Sequence, residues 1–330
     1  MPSLLQKGAT NAIVDCLAVK PEDRVFIMTD KETLEIGQAL FDEAKKITQE
    51  TRMVVLEDYA KRPFKEFPKE LPEDLLKFMP TVTIFAAQAL TAEMQTFRHP
   101  IHDFILDNIK SRHAHMLGIE KIHMETGMQV DYQKVHKRGA QIYKVLEKAK
   151  KITATCPYGT DIQVIFTPKH RWAFSDGLIW KKGDWMNLPN GEIFTAPESL
   201  NGKVAVQVYG DRNFGLLEKP IMVTFKNSRV VDISGENNEA VKSLKSLIKT
   251  DENADRAGEL GIGINEFIKE LTGNLLQDEK FPGLHVAVGS PIGSRTGAEW
   301  DSEIHMDMIP LKTTISVDGK VIMKDGKFLI

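Results

Sequence analysis

Four short apolar runs, regularly spaced through the first third of the chain, restrict its fold more than any other feature. They occupy residues 24–30, 53–56, 82–87 and 114–119. Between the first two, Leu34, Ile36, Leu40, Phe41, Ala44 and Ile47 recur near helical spacing across residues 32–48. Short apolar runs read as buried strands, and a 3.6-residue period reads as a helix laid against them. Strand, helix and strand at this spacing make βαβ units, which require a parallel sheet. The pattern therefore predicts an α/β (Rossmann-like) domain with a mostly parallel sheet over residues 1–145. No G-x-G-x-x-G follows Asp30, so no dinucleotide site is expected. Residues 130–151, rich in Lys, predict a connecting helix, and Cys16 reads as a small core residue on an N-terminal amphipathic helix.

The texture changes near residue 152. Residues 152–156 and 161–166 flank Tyr158-Gly159-Thr160 and predict a hairpin. Further strands are expected at 204–209, 221–225 and 230–233, with a tight turn at 226–229 and a helix over 239–250. Asp318-Gly319 and Asp325-Gly326 mark two more hairpins near the end. Residues 146–330 thus predict an α+β domain with mostly antiparallel sheet.

This second domain also holds the residues with the most distinctive chemistry. Residues 303–309 alternate polar and apolar, and residues two apart on a strand share a face. His305 and Asp307 would then project side by side, with Ile304, Met306 and Met308 turned to the core. A nitrogen and an oxygen ligand fixed on one strand can begin a metal site. Three other residues could complete it. Glu192 follows Pro189-Asn190-Gly191, which by itself reads as a solvated turn. Glu259 is flanked by Gly258, Gly261 and Gly263, residues that permit close backbone approach. His285 is the one polar residue of a short apolar strand, a setting in which a lone histidine is commonly an interior residue. Asp278 and Glu279 read as a solvated loop, as do Glu299, Asp301 and Glu303. His99, His102, His113, His115 and His123 read as surface or core residues of the first domain, and His170 as part of a basic loop.

Bulk properties narrow the partners. The chain has 330 residues, a formal net charge of -3, 27% charged and 42% hydrophobic residues, which is ordinary for a globular protein. Without a basic excess, nucleic acid is not an expected partner. No apolar run is long enough to span a bilayer, and residues 1–7 do not resemble a secretory signal. Two widely separated cysteines argue against a disulfide framework and for a cytoplasmic location, and they leave His and carboxylate as the only ligand types for a metal.

Four segments carry a family resemblance: residues 187–197, 258–265, 285–289 and 305–307. Over these the chain resembles the M29 metallo-aminopeptidases, also called the aminopeptidase T or thermophilic family. The resemblance implies a metal-dependent hydrolase that removes N-terminal residues from peptides and acts as a homodimer. It also implies a pair of divalent ions (Zn, Co or Mn) on Glu192, Glu259, His285, His305 and Asp307. That family has a tyrosine a few residues after the third-segment histidine, where this chain has Ser290-Pro291-Ile292-Gly293-Ser294. The second half is also similar to the 2,5-dihydroxypyridine 5,6-dioxygenases. That alternative implies one Fe(II) on His285, His305 and Asp307, with a small aromatic molecule as substrate. A third reading is a relative that keeps its metal without peptidase activity.

Overall fold

The structure, a computed structural model, describes residues 1–211 and 213–330. The chain forms two compact units: Met1–Gln133 with Gly177–Asn190, and Lys134–Asp176 with Gly191–Ile330.

The first unit is built on a five-stranded sheet, parallel throughout. Its order is Thr51–Val55, Val25–Thr29, Val82–Ala87, Arg112–Leu117 and Trp185–Asn187. The strands Val25–Thr29 and Val82–Ala87 are buried at every position, which is why they read as unbroken apolar runs rather than alternating ones. The helix Leu34–Lys45 buries Ile36, Leu40 and Ala44 of the expected stripe, with Ala39 beside them, while Leu34 is exposed and Phe41 half-buried. A further core joins Phe26, Met28 and Phe85 to Leu71 and Leu75 of the helix Glu70–Phe78, and to Phe97, Ile101, Ile105 and Ile109. The last four come from consecutive helical turns spanning 91–109, which the sequence pattern did not reveal.

Ligands of open parallel sheets commonly bind beyond the strand ends where the strand order reverses. Here the residue after the strand Val25–Thr29 is Asp30, fully buried and paired with Arg62, whose guanidinium also holds Glu93 at 2.6 Å. At the start of the strands, Arg112 reaches back to Asp23 at 2.5 Å.

The expected boundary near residue 145 lies at the end of the helix Tyr132–Leu146, nearly all of which belongs to the second unit. Residues 177–190 return to the first unit and supply its fifth strand. That strand, Trp185–Asn187, is three residues long, too short to show a period.

The second unit is α+β, and its sheet is antiparallel at every pairing. The strands Ser199–Tyr209, His305–Ile309, Gly283–Gly289, Ala257–Gly263, Glu192–Thr195 and Ala173–Ser175 lie side by side in that order. Beyond Ser199–Tyr209 the sheet continues through Asp161–Ile165, Lys151–Thr155 and Thr314–Val317. The expected turns form with positive φ at both central residues: 50° and 63° at Asn227 and Ser228, 48° and 89° at Asp318 and Gly319. This is the backbone twist that tight hairpins need. Ala257–Gly263 and Gly283–Gly289 are buried at every position. Neither cysteine forms a disulfide among the described residues. No helix among the described residues is long and apolar enough to cross a membrane.

Candidate metal centre

Four neighbouring strands of the second unit bring the five candidate residues to one face of the sheet. His305 and Asp307 lie on His305–Ile309, His285 on Gly283–Gly289, Glu259 on Ala257–Gly263 and Glu192 on Glu192–Thr195. The register fixes their common side. Asp307 is opposite Ala287, and Ala287 is opposite Glu259. His285 is opposite Gly261, and Gly263 is opposite Glu192. Paired residues on adjacent strands share a face, as do residues two apart on one strand. All five side chains therefore project together, and the positions between them are Ala287, Gly261 and Gly263. These small residues leave the space that the ligating groups fill. A Cβ at Gly261 would fall on the imidazole of His285, and one at Gly263 on the carbonyl of Phe281. Gly191, at φ 132°, turns the chain into Glu192 in a conformation that L side chains rarely adopt.

Glu259 is the hub. Its Oε1 is 3.0 Å from Nε2 of His285, and its Oε2 is 3.8 Å from Nε2 of His305. His285 Nε2 is also 3.5 Å from Oε2 of Glu192, and His305 Nε2 is 3.5 Å from Oδ2 of Asp307. Two groups of possible ligands result, Glu192–Glu259–His285 and Glu259–His305–Asp307, in each of which the ligand atoms lie within 4.8 Å of one another. The three carboxylates and His285 are buried, while the side chain of His305 is 27% exposed and opens the cluster to solvent. His305 donates its Nδ1 hydrogen to the carbonyl of Ser290 at 2.8 Å, which turns Nε2 toward the carboxylates. Metal-bound histidines are commonly oriented by such a bond on the far nitrogen.

The electrostatics favour positive charge. Burial opposes charging of the two imidazoles. Glu259 nevertheless holds His285 up at about 9, and Asp307 holds His305 up at about 10. Burial raises the Glu259 carboxyl above its ordinary range, against the bond from His285. Asp307 is also buried, yet the imidazolium of His305 keeps it well below the usual carboxylate range. Its Oδ1 is buried with no hydrogen-bond partner among the described residues. A buried carboxylate oxygen left unpaired is costly. That orphaned oxygen, beside two imidazoles and two further carboxylates, fits a divalent cation held by nitrogen and oxygen.

Neighbouring residues depart from expectation. Glu192 is buried on a strand rather than solvated in a turn. Asp278 and Glu279 are not a solvated loop. Asp278 is fully buried and accepts from the backbone of Thr272 and Gly273 at 2.8 Å each, closing the turn that precedes the His285 strand. Burial pushes the Glu279 carboxyl up to about 8, with Lys280 pulling the other way. Lys280 is fully buried, 2.6 Å from Oε1 of Glu192 and also paired with Glu279. Nothing in the sequence marked this lysine, since a Lys beside a Glu ordinarily reads as solvated. Glu299, Asp301 and Glu303 are exposed, as expected. His170 bonds the carbonyl of Ala196 through Nδ1 and joins neither ligand group.

Known proteins resemble this chain in sequence and in fold. Residues 121–328 match the family model described as thermophilic metalloprotease (M29). The chain is 29% identical over 189 residues to aminopeptidase AmpS of Bacillus subtilis (strain 168), covering 51% of this chain and 45% of that protein. It is 30% identical over 180 residues to aminopeptidase 2 of Geobacillus stearothermophilus, covering 46% and 42% respectively. The matches thus span less than half the length of these relatives. The fold resembles wild-type AmpT from Thermus thermophilus with a TM-score of 0.74 and 18% identity, over 99% of both chains. It also resembles 2,5-dihydroxypyridine dioxygenase from Pseudomonas putida KT2440, with a TM-score of 0.72 and 13% identity, over 100% of this chain and 98% of the other. At such identities the two structures speak to the fold alone. With the family match covering all five candidate ligands and most of the antiparallel unit, the chain belongs to the M29 family of metalloproteases.

Proposed function

We propose that this chain is a metal-dependent aminopeptidase, releasing N-terminal residues from peptides at the face formed by Glu192, Glu259, His285, His305 and Asp307. The observation that carries the reading is the hub role of Glu259, with one oxygen toward His285 and the other toward His305, beside the unpartnered Oδ1 of Asp307. Family membership and the curated aminopeptidases support the reaction class. A homodimer belongs to the same reading through the family resemblance, and a cytoplasmic location through the two widely separated cysteines.

Glu259, His305 and Asp307 would hold the principal ion, with zinc, cobalt and manganese suiting the mixed nitrogen and oxygen donors. When bound, a divalent ion supplies Lewis acidity, polarising a carbonyl and making hydroxide accessible near neutral pH. Glu192 and His285 border a second position. There the Lys280 ammonium already bonds one oxygen of Glu192 and supplies positive charge that a second ion would otherwise bring. We therefore read the centre as holding one ion tightly rather than an equal pair. His305, the partly exposed member, marks the side from which substrate arrives. The surplus of carboxylates attracts the ammonium of a peptide N-terminus, which suits an exopeptidase.

The test is cleavage of leucyl-p-nitroanilide by chelator-treated protein, with and without added Zn, Co or Mn, alongside elemental analysis. Hydrolysis that returns only with metal supports the reading. One iron per chain with O2 uptake on a dihydroxypyridine, and no cleavage, would replace it with the dioxygenase.

A further inference from the structure

The first unit contains a second cluster of ligating side chains, unrelated to the carboxylate centre. His113 and His115 are two residues apart on the strand Arg112–Leu117, so their rings share a face. Nε2 of His113 is 3.3 Å from Nδ1 of His115. His102, from the helix His99–Phe104, meets both rings edge-on, at centroid distances of 5.8 and 5.0 Å. One nitrogen from each ring lies within 4.8 Å of the other two. His113 and His115 are buried. Nε2 of His102 is buried as well and has no hydrogen-bond partner among the described residues.

A core histidine ordinarily satisfies its ring nitrogens, because an unpaired buried polar atom costs about 1–3 kcal/mol. Three imidazoles converging with one nitrogen orphaned call for another explanation. The surroundings fit ligation. The Thr83 hydroxyl is 2.9 Å from Nδ1 of His113 and 2.7 Å from the Ser111 hydroxyl. Thr83 can accept the Nδ1 hydrogen, leaving the Nε2 lone pair of His113 facing the other two rings, the outer bond typical of metal-bound imidazole. Phe85 stacks on His115 at 5.5 Å, and Trp185 closes over His102 at 4.5 Å. Burial lowers the basicity of all three rings, so each keeps a lone pair at neutral pH. Tetrahedral bonds of roughly 2.0–2.1 Å put neighbouring nitrogens about 3.3 Å apart, the spacing already present between His113 and His115. Imidazole donors without a carboxylate select zinc-like transition metals over magnesium or calcium.

We propose that His102, His113 and His115 form a separate site for one divalent transition-metal ion of the zinc class, held by three imidazole nitrogens with one position left for water or an anion. The proposal stands whether or not the carboxylate centre works as described.

The test loads the full chain with zinc after chelation, removes the excess by gel filtration and counts zinc per chain. His102→Ala and His115→Gln should each carry one ion fewer than the parent. In an Asp307→Ala background, His102→Ala should remove a further ion, which separates the two sites. Equal zinc in His102→Ala and the parent would overturn the proposal. If both substitutions unfold the chain, the parent protein decides through its imidazole 15N resonances. Zinc should shift those of His102, His113 and His115 together, and unmoved resonances at saturating zinc would overturn it.

Discussion

Asp307 combines burial, a carboxyl held below its usual range by His305, and an oxygen with no hydrogen-bond partner among the described residues. Replacing it with Ala should lower affinity for the principal ion by roughly 100-fold or more, since even the outer partners of ligands are worth 10–100-fold. His305→Ala should behave alike. His170→Ala, which removes only a bond to the Ala196 carbonyl, should leave metal content unchanged. Equal zinc in all three variants would contradict the assignment. Gly261 is the corresponding test of space. Its alanine variant must displace the His285 ring, so we expect overpacking of about 1–3 kcal/mol in thermal unfolding and weaker metal binding in the same variant. A Gly261→Ala protein with normal melting and metal affinity would show that the close approach is not needed. Lys280→Met leaves Glu192 and Glu279 buried without their shared cation. It should destabilise the metal-free protein by on the order of 3 kcal/mol and let one more divalent ion bind at the carboxylate centre. An unchanged ion count in Lys280→Met would mean that the ammonium does not stand in for a second ion.

At the level of elements, the strands of the first unit are tied at their starts by Asp23. Burial alone would raise its carboxyl pKa. Bonds from the Thr81 hydroxyl, the Arg112 guanidinium and the Lys20 backbone outweigh that effect and hold it below the usual range. A folded pKa below the unfolded one gives stability that is full above about pH 4 and is lost as pH falls through the folded value. Asp23→Asn should therefore be much less stable than the parent at pH 7, with the gap narrowing below pH 4. Urea unfolding across that range reads it directly, and a gap that widens in acid would refute the ion pair's role.

The same level shows what the sequence made legible. His305 and Asp307 were found because polar and apolar residues alternate around them, and alternation survives where one sheet face carries polar ligands. Glu259 and His285 lie on strands buried on both faces, so alternation is lost there; flanking glycines mark Glu259, and His285 stands out only as the one polar residue of an apolar strand. His113 and His115 have the same two-residue spacing as His305 and Asp307. They do not read as a pair in the sequence because the expected strand begins at residue 114, one residue after His113, whereas the strand begins at Arg112. Lys280 was invisible, since its burial depends on Glu192, distant in sequence, and no local pattern encodes that pairing. The strand Trp185–Asn187 is not legible in the sequence, because a three-residue segment that returns to the first unit's sheet from far along the chain has no period to read.

For the molecule as a whole, two units with different architectures each carry a convergence of metal-ligating side chains, one rich in carboxylate and one made only of imidazole. The account of activity depends on the first. Its most direct test compares the parent and Asp307→Ala after equilibration with manganese, an ion that favours carboxylate oxygen over an all-imidazole site. Ion content and leucyl-p-nitroanilide hydrolysis are read on the same samples. We predict one tightly held manganese and metal-dependent cleavage in the parent, and loss of both in Asp307→Ala. Equal manganese in the two proteins, or cleavage that persists after the ion is gone, would contradict the assignment of this face as the catalytic metal centre.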